Sequence, residues 1–132
     1  MSESIKTVLI VDDEPFILQS FVDYFEDHLW RTLKAESGEL ALKLLEKESP
    51  DGAVVDIRLK EMDGNAFIYE THRKKPKMAF VICTGSPEYE IPDTLLKLPG
   101  VSRHIFRKPL TNMGELEKDL LRLIKNIETK KN

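Results

Sequence analysis

The stretch Val8-Leu9-Ile10-Val11-Asp12-Asp13-Glu14-Pro15 decides the fold, because an unbroken apolar run ends abruptly in acid and then in a helix-starting proline. Continuous β-branched and aliphatic residues without polar alternation describe a strand buried on both faces, the kind found in parallel sheets covered by helices. A second run, Ala53-Val54-Val55-Asp56, repeats the pattern and also ends in a carboxylate. The two strand ends should bring Asp12, Asp13 and Asp56 to one edge of a sheet. Carboxylates about 4 Å apart repel by roughly 1 kcal/mol in water and about 4 kcal/mol at an intermediate dielectric. A hard dication with oxygen ligands relieves that repulsion, and Mg²⁺ prefers one or two carboxylates, waters and a phosphate oxygen.

Two more apolar runs supply polar groups of other kinds. Ala79-Phe80-Val81-Ile82-Cys83 ends in Thr84-Gly85, and His104-Ile105-Phe106 leads through Arg107 into Lys108-Pro109. Lys108 offers a positive charge to an incoming phosphoryl group, and Thr84 a hydroxyl able to donate to one of its oxygens. Gly85 presents no side chain to obstruct access.

Strand and helix periods alternate along the whole chain. Residues 6–11 form the first strand, followed by a helix from about Pro15 to His28 with the stripe Ile17, Leu18, Phe21, Val22 and Phe25. Pro15 suits a first helical turn, where a missing N–H costs nothing. Trp30 to Ala35 reads as a strand, and Ser37 as the cap of a helix carrying Leu40, Ala41, Leu44 and Leu45. Asp63-Gly64 is a turn before the helix of Ala66, Phe67 and Ile68, and Met78 to Cys83 is the fourth strand. Pro87, Pro92 and Pro99 confine the next helix to a short piece, from Pro92 to Leu98. The last helix, from about Asn112 to Glu128, aligns Leu116, Leu120, Ile124 and Ile127. Five strands alternating with five helices imply an α/β fold with parallel pairing, right-handed crossovers and helices on both faces. Flavodoxin-like, doubly wound sheets of this kind have the order 2-1-3-4-5 with ligands at the carboxyl ends of the strands, and that arrangement is the expectation.

With 132 residues, the chain suits one domain covering 1–132. A net charge of −3 from 20 basic and 23 acidic residues argues against direct nucleic-acid binding by bulk charge. The start, MSESIK, has no signal-peptide character, no stretch approaches bilayer length, and Cys83 is the single cysteine, so a cytoplasmic, non-membrane setting is expected. Cys83 reads as a small buried hydrophobe, Lys74, Lys75 and Lys77 as a solvated cluster, and Lys130-Lys131-Asn132 as a frayed end. His28, His72 and His104 lack metal-ligand spacing.

These motifs resemble the receiver domain of bacterial two-component response regulators, including the chemotaxis receiver. The resemblance rests on VLIVDDEP (8–15), VVDIRLKEMDG (54–64), Thr84-Gly85 and Lys108-Pro109, in the family's order and approximate spacing. It implies that Asp56 is the phosphoacceptor, that Asp13 and Asp56 bind Mg²⁺ directly, that Asp12 binds it through water and that Arg58 lends its backbone carbonyl. Lys108 is then the residue that grips the phosphoryl oxygen, Thr84 moves to contact phosphorylated Asp56, and the Lys108-Pro109 bond is cis. The implied partners are a sensor histidine kinase or histidine phosphotransfer protein upstream and an effector downstream. Family members often pair through the last strand and its flanking helices, which here means a homodimer through residues 90–127. The only enzymatic chemistry implied is self-phosphorylation and self-dephosphorylation.

Two positions depart from the family pattern. Lys60 stands where a proline is usual, and Ile105 stands where a tyrosine or phenylalanine usually rotates on activation. Phe106 is adjacent, but period two sends it to the opposite face. Output then falls to the 86–100 segment, and Arg58 and Ser86 flank the expected approach of water to the phosphoryl group. Two other readings compete with a phosphoacceptor: a docking domain of the same fold with an idle pocket, and a Mg²⁺-dependent aspartyl phosphatase. The latter wants an acid two residues beyond Asp56, where Ile57-Arg58 provides none.

Overall fold

The computed structural model describes residues 5–129; the tail Lys130-Lys131-Asn132 and the first residues of MSESIK lie outside them. The elements run β1 Thr7–Val11, α1 Pro15–Asp27, β2 Arg31–Ala35, α2 Gly38–Leu44, β3 Gly52–Val55, α3 Gly64–Lys74, β4 Ala79–Thr84, α4 Asp93–Leu96, β5 Val101–Arg107 and α5 Met113–Thr129. The five strands form one sheet in the order β2-β1-β3-β4-β5, with every neighbouring pair parallel. This is the expected doubly wound topology.

Period two sorts each strand between two cores. Val8 and Ile10 of β1, Val54 of β3 and Val81 and Cys83 of β4 pack on the face covered by α1 and α5, with Phe21, Phe25, Leu116 and Leu120. Leu9, Val11, Val55, Phe80 and Ile82 point the other way, toward Ala41, Phe67, Ile68 and Leu95 of α2, α3 and α4. Residues adjacent in sequence serve opposite layers, so these runs have to be apolar throughout. Phe106 and Ile105 part in the same way, Phe106 joining the α1/α5 side and Ile105 packing against the other. Cys83 is 1% exposed, and burial pushes its thiol up to about 12.

Local signals set the helix ends. Ser37 Oγ accepts from the Leu40 N–H, and Asp63 Oδ1 from the Ala66 N–H at 2.8 Å, each satisfying a donor that the first turn leaves free. α1 ends in the two crossed bonds of a Schellman turn, Leu29 N–H to Glu26 O and Trp30 N–H to Phe25 O, with Leu29 at φ 68°. Trp30 then packs edge-on against Phe25, its ring 5.1 Å away, and its Nε1–H donates to Glu117 Oε2 at 2.8 Å, at the sheet end remote from the acidic edge.

Two elements differ in extent from the sequence expectation. β5 begins at Val101 rather than at His104, because buried Ser102 finds a partner in Asp119, which its hydroxyl contacts, so a polar residue enters a strand at no unpaired cost. The register passes from Phe80 opposite Val101 to Ile82 opposite Ile105, so residues bulge from β5 there and break the period that marks a strand. α4 is shorter than expected, a single turn from Asp93 to Leu96.

Candidate functional site

Main-chain pairing carries the acids to one place. The Asp56 N–H donates to Val11 O at 2.9 Å and the Asp12 N–H to Ala35 O at 3.1 Å, so β1 and β3 end level with each other. On the far side the Lys108 N–H donates to Thr84 O at 2.9 Å, tying the end of β5 to that of β4. The sheet therefore places Asp12, Asp56, Thr84 and Lys108 along one rim.

Each buried aspartate then divides its oxygens. Asp12 Oδ1 accepts the Glu14 N–H at 2.9 Å, and Asp56 Oδ1 accepts the Arg58 N–H at 3.1 Å, each bond closing a turn two residues long. The second oxygens face inward to the ammonium of Lys108, at 2.8 Å from Asp12 Oδ2 and 3.1 Å from Asp56 Oδ2. Glu14 Oε2 completes the set at 2.9 Å. Asp12 and Asp56 are 2% and 4% exposed, while Asp13 is half-buried and Glu14 open to solvent.

Burial holds the Asp12 carboxyl above its ordinary value, and the hydrogen bonds from Lys108 and the Glu14 N–H only partly offset it. Burial also works against the Lys108 ammonium, but its bonds to Asp12 and Glu14 outweigh that and raise it above an ordinary lysine. Both partners of one ion pair shift upward because Asp12 is buried so deeply that lost hydration outweighs its gain from a single cation.

One ligand oxygen each from Asp12, Asp13, Glu14 and Asp56 lies within 4.8 Å of the others. An all-oxygen set at this spacing, carrying more negative charge than Lys108 neutralises, fits a hard dication such as Mg²⁺. Glu14 is the member that sequence reasoning missed, although its place directly after Asp12-Asp13 was a signal. Gly64 was also missed as a site residue. A Cβ there would lie 2.5 Å from Asp56 O and 2.7 Å from Ile57 Cα, so only glycine lets α3 start against the end of β3.

The remaining expected residues fall around this core. Thr84 is fully buried and its Oγ1 accepts the Ser86 N–H at 3.1 Å, a local bond that holds the present orientation of the side chain. Arg58 has an exposed side chain and touches Asp56 through its backbone. A Cβ on Gly85 would meet the Lys108 stem at an ordinary 3.9 Å, so access does not depend on glycine there. The Lys108-Pro109 bond is cis, as the resemblance implied. Among the described residues no helix is long and apolar enough to cross a membrane.

Comparison with known proteins gives a consistent result. A family model described as the response regulator receiver domain matches residues 8–120. Transcriptional regulatory protein GlrR of Escherichia coli is 32% identical over 95 residues, which are 72% of this chain and 21% of that protein. Heme response regulator HssR of Staphylococcus aureus is 46% identical over 56 residues, 42% of this chain and 25% of that protein. The chain thus matches only about a fifth to a quarter of the length of these relatives. A CheY-like receiver domain protein from Methanospirillum hungatei superposes with a TM-score of 0.82 at 25% identity, covering 96% of this chain and 99% of that one. Response regulator TrrA from Thermotoga maritima, solved in complex with Mg(2+)-BeF, shares the fold at 24% identity, with a TM-score of 0.75 and coverage of 90% and 99%.

Proposed function

The chain belongs to the response regulator receiver domain family, and from that premise we propose that it takes a phosphoryl group onto Asp56 from a phosphohistidine donor and changes shape to control a partner. The observation that carries this reading is the buried pair Asp12 and Asp56, each turning its free oxygen onto Lys108 at 2.8 and 3.1 Å. On this reading the donor is a histidine kinase or histidine phosphotransfer protein, and residues 1–132 act as one receiver module in the cytoplasm. The downstream effector is a separate surface or protein. Residues 90–127 are the candidate face for a second copy, which gel filtration with and without beryllofluoride would read.

Phosphoryl transfer needs positioning and charge neutralisation more than covalent help. Asp12, Asp13 and Asp56, with the Arg58 carbonyl, are the groups that would hold Mg²⁺, which when bound neutralises charge on the transferred phosphoryl oxygens. Asp56 is fixed by the Arg58 N–H and presents its other oxygen toward the pocket. A bond forms from that oxygen to phosphorus as the phosphorus–nitrogen bond to the donor imidazole breaks, and the imidazole leaves neutral after taking up a proton. Lys108 turns from the carboxylates to a phosphoryl oxygen, and Thr84 donates its hydroxyl to another.

The test is intact mass after incubation with Mg²⁺ and acetyl phosphate. One added phosphoryl group, absent in Asp56→Asn, is the expected result. No adduct after long incubation would support the idle docking domain instead, and sustained turnover of varied phosphate esters would support a phosphatase. The intact acid set weighs against the first, and Arg58, standing two residues beyond Asp56 where an acid would be wanted, against the second.

A further inference from the structure

Ile105 leaves the usual aromatic position of β5 without a polar tip, yet an aromatic does stand beside the same core cluster. Tyr89, from the loop between β4 and α4, packs half-buried against the layer that Ile105 also joins, and its hydroxyl donates to Asn65 Oδ1 on the first turn of α3 at 2.6 Å. A chain of bonds connects it to the rim. Thr84 Oγ1 accepts the Ser86 N–H at 3.1 Å, the Arg107 guanidinium donates to both Ser86 O and Tyr89 O, and the Tyr89 hydroxyl closes the chain on α3.

We propose that Tyr89, held by Arg107, takes the place of the missing aromatic at 105 and registers phosphorylation of Asp56 by leaving Asn65 when Thr84 turns to the phosphoryl group. This rests on the phosphoacceptor reading of Asp56. A turned Thr84 hydroxyl abandons the Ser86 N–H, which has to move to find another acceptor. Ser86 O and Tyr89 O sit on one planar, rigid fork, so the loop moves as a unit rather than residue by residue. A hydrogen bond of 2.6 Å does not survive an ångström of displacement, so the Tyr89 hydroxyl is released. Arg107 is then a positioning residue for Ser86 and Tyr89, and the α3–loop edge is where the two states differ.

The protein has three tyrosines, Tyr24, Tyr69 and Tyr89, so uniform 3-fluorotyrosine labelling gives three resonances that single Tyr→Phe variants assign. With Mg²⁺ and acetyl phosphate, the Tyr89 resonance is expected to shift in proportion to the phosphorylated fraction read by intact mass, while Tyr24 and Tyr69 stay in place. Compared per mole of adduct read by intact mass, however slowly that adduct forms, Thr84→Val should lose the Tyr89 shift. Asn65→Ala should place Tyr89 near its phosphorylated position before any donor is added. A Tyr89 resonance that stays put in protein carrying the adduct, or that moves equally in Thr84→Val, would overturn the relay. Absence of an adduct would instead overturn the Asp56 reading, which mass reads independently of the fluorine spectrum.

Discussion

Lys108 Nζ lies 2.8 Å from Asp12 Oδ2, and this one ammonium is shared with Asp56 and Glu14, so a lysine stands where an incoming dication has to act. The lysine both stabilises the acids and competes for them. An ion pair at about 4 Å is worth roughly 4 kcal/mol at an intermediate dielectric, and solvent rearrangement returns most of it. Lys108→Ala is therefore expected to tighten Mg²⁺ binding by roughly tenfold, about 1.4 kcal/mol, while slowing adduct formation. Titration calorimetry showing unchanged affinity would contradict the competition.

Gly64 tests how closely α3 has to approach β3. In Gly64→Ala the new methyl meets Asp56 O at 2.5 Å, and neither backbone can yield without moving the acid site. A loss of roughly 1–3 kcal/mol in urea unfolding is expected, with slower phosphorylation. Wild-type stability and rate together would refute the steric account.

Leu29 gives a change in the opposite direction. It sits at φ 68° in the turn that ends α1 and is 80% exposed, so its side chain contributes strain and little burial. Leu29→Gly should stabilise the fold by about 0.5–1 kcal/mol, with the Trp30–Phe25 contact kept. A lower unfolding midpoint would show that the leucine does unseen packing work.

Tyr24 links stability to alkaline pH. Burial, then the hydrogen bond to Glu117 and its charge, push the Tyr24 hydroxyl from its ordinary 10.0 up to about 12. Between those values the unfolded chain ionises and the folded one does not, so stability is whole below about pH 10 and falls as pH rises toward about 12. Tyr24→Phe should lose roughly 1 kcal/mol at neutral pH through the missing bond and show a shallower alkaline decline. Parallel stability–pH curves for the two proteins would sink this assignment.

Arg58 bears on the lifetime of the phosphoryl group. Its side chain is exposed, and its contact with Asp56 runs through the backbone, so Arg58→Ala leaves that bond intact. The dephosphorylation rate is expected to change through lost bulk and charge at the water approach, with the adduct yield at saturation kept. An identical rate in both proteins would exclude the side chain from hydrolysis.

The chain's own residues went far toward the fold. Val8–Val11 and Ala53–Val55 are apolar at every position because both faces are covered, and the acids that follow mark where the strands stop. Ser37 and Asp63 announced helix starts because capping is a local bond within a few residues. β5 was legible only in its second half, since Ser102 needs Asp119 from a helix beyond the next turn to make its burial tolerable.

Asp12, Asp13, Asp56, Thr84 and Lys108 were readable as a set because parallel topology sends successive strand ends to one rim, and chemistry then requires their charges to balance. Tertiary structure alone decided that Asp12 and Asp56 each spend one oxygen on their own loop and turn the other to Lys108, that Glu14 joins them, and that Gly64 has to be glycine. It alone joined Tyr89 to Asn65 and Arg107 to Ser86, residues 24 and 21 positions apart. Periodicity and capping are local and leave marks in sequence, whereas these contacts depend on distances that exist only once the sheet and its helices have packed.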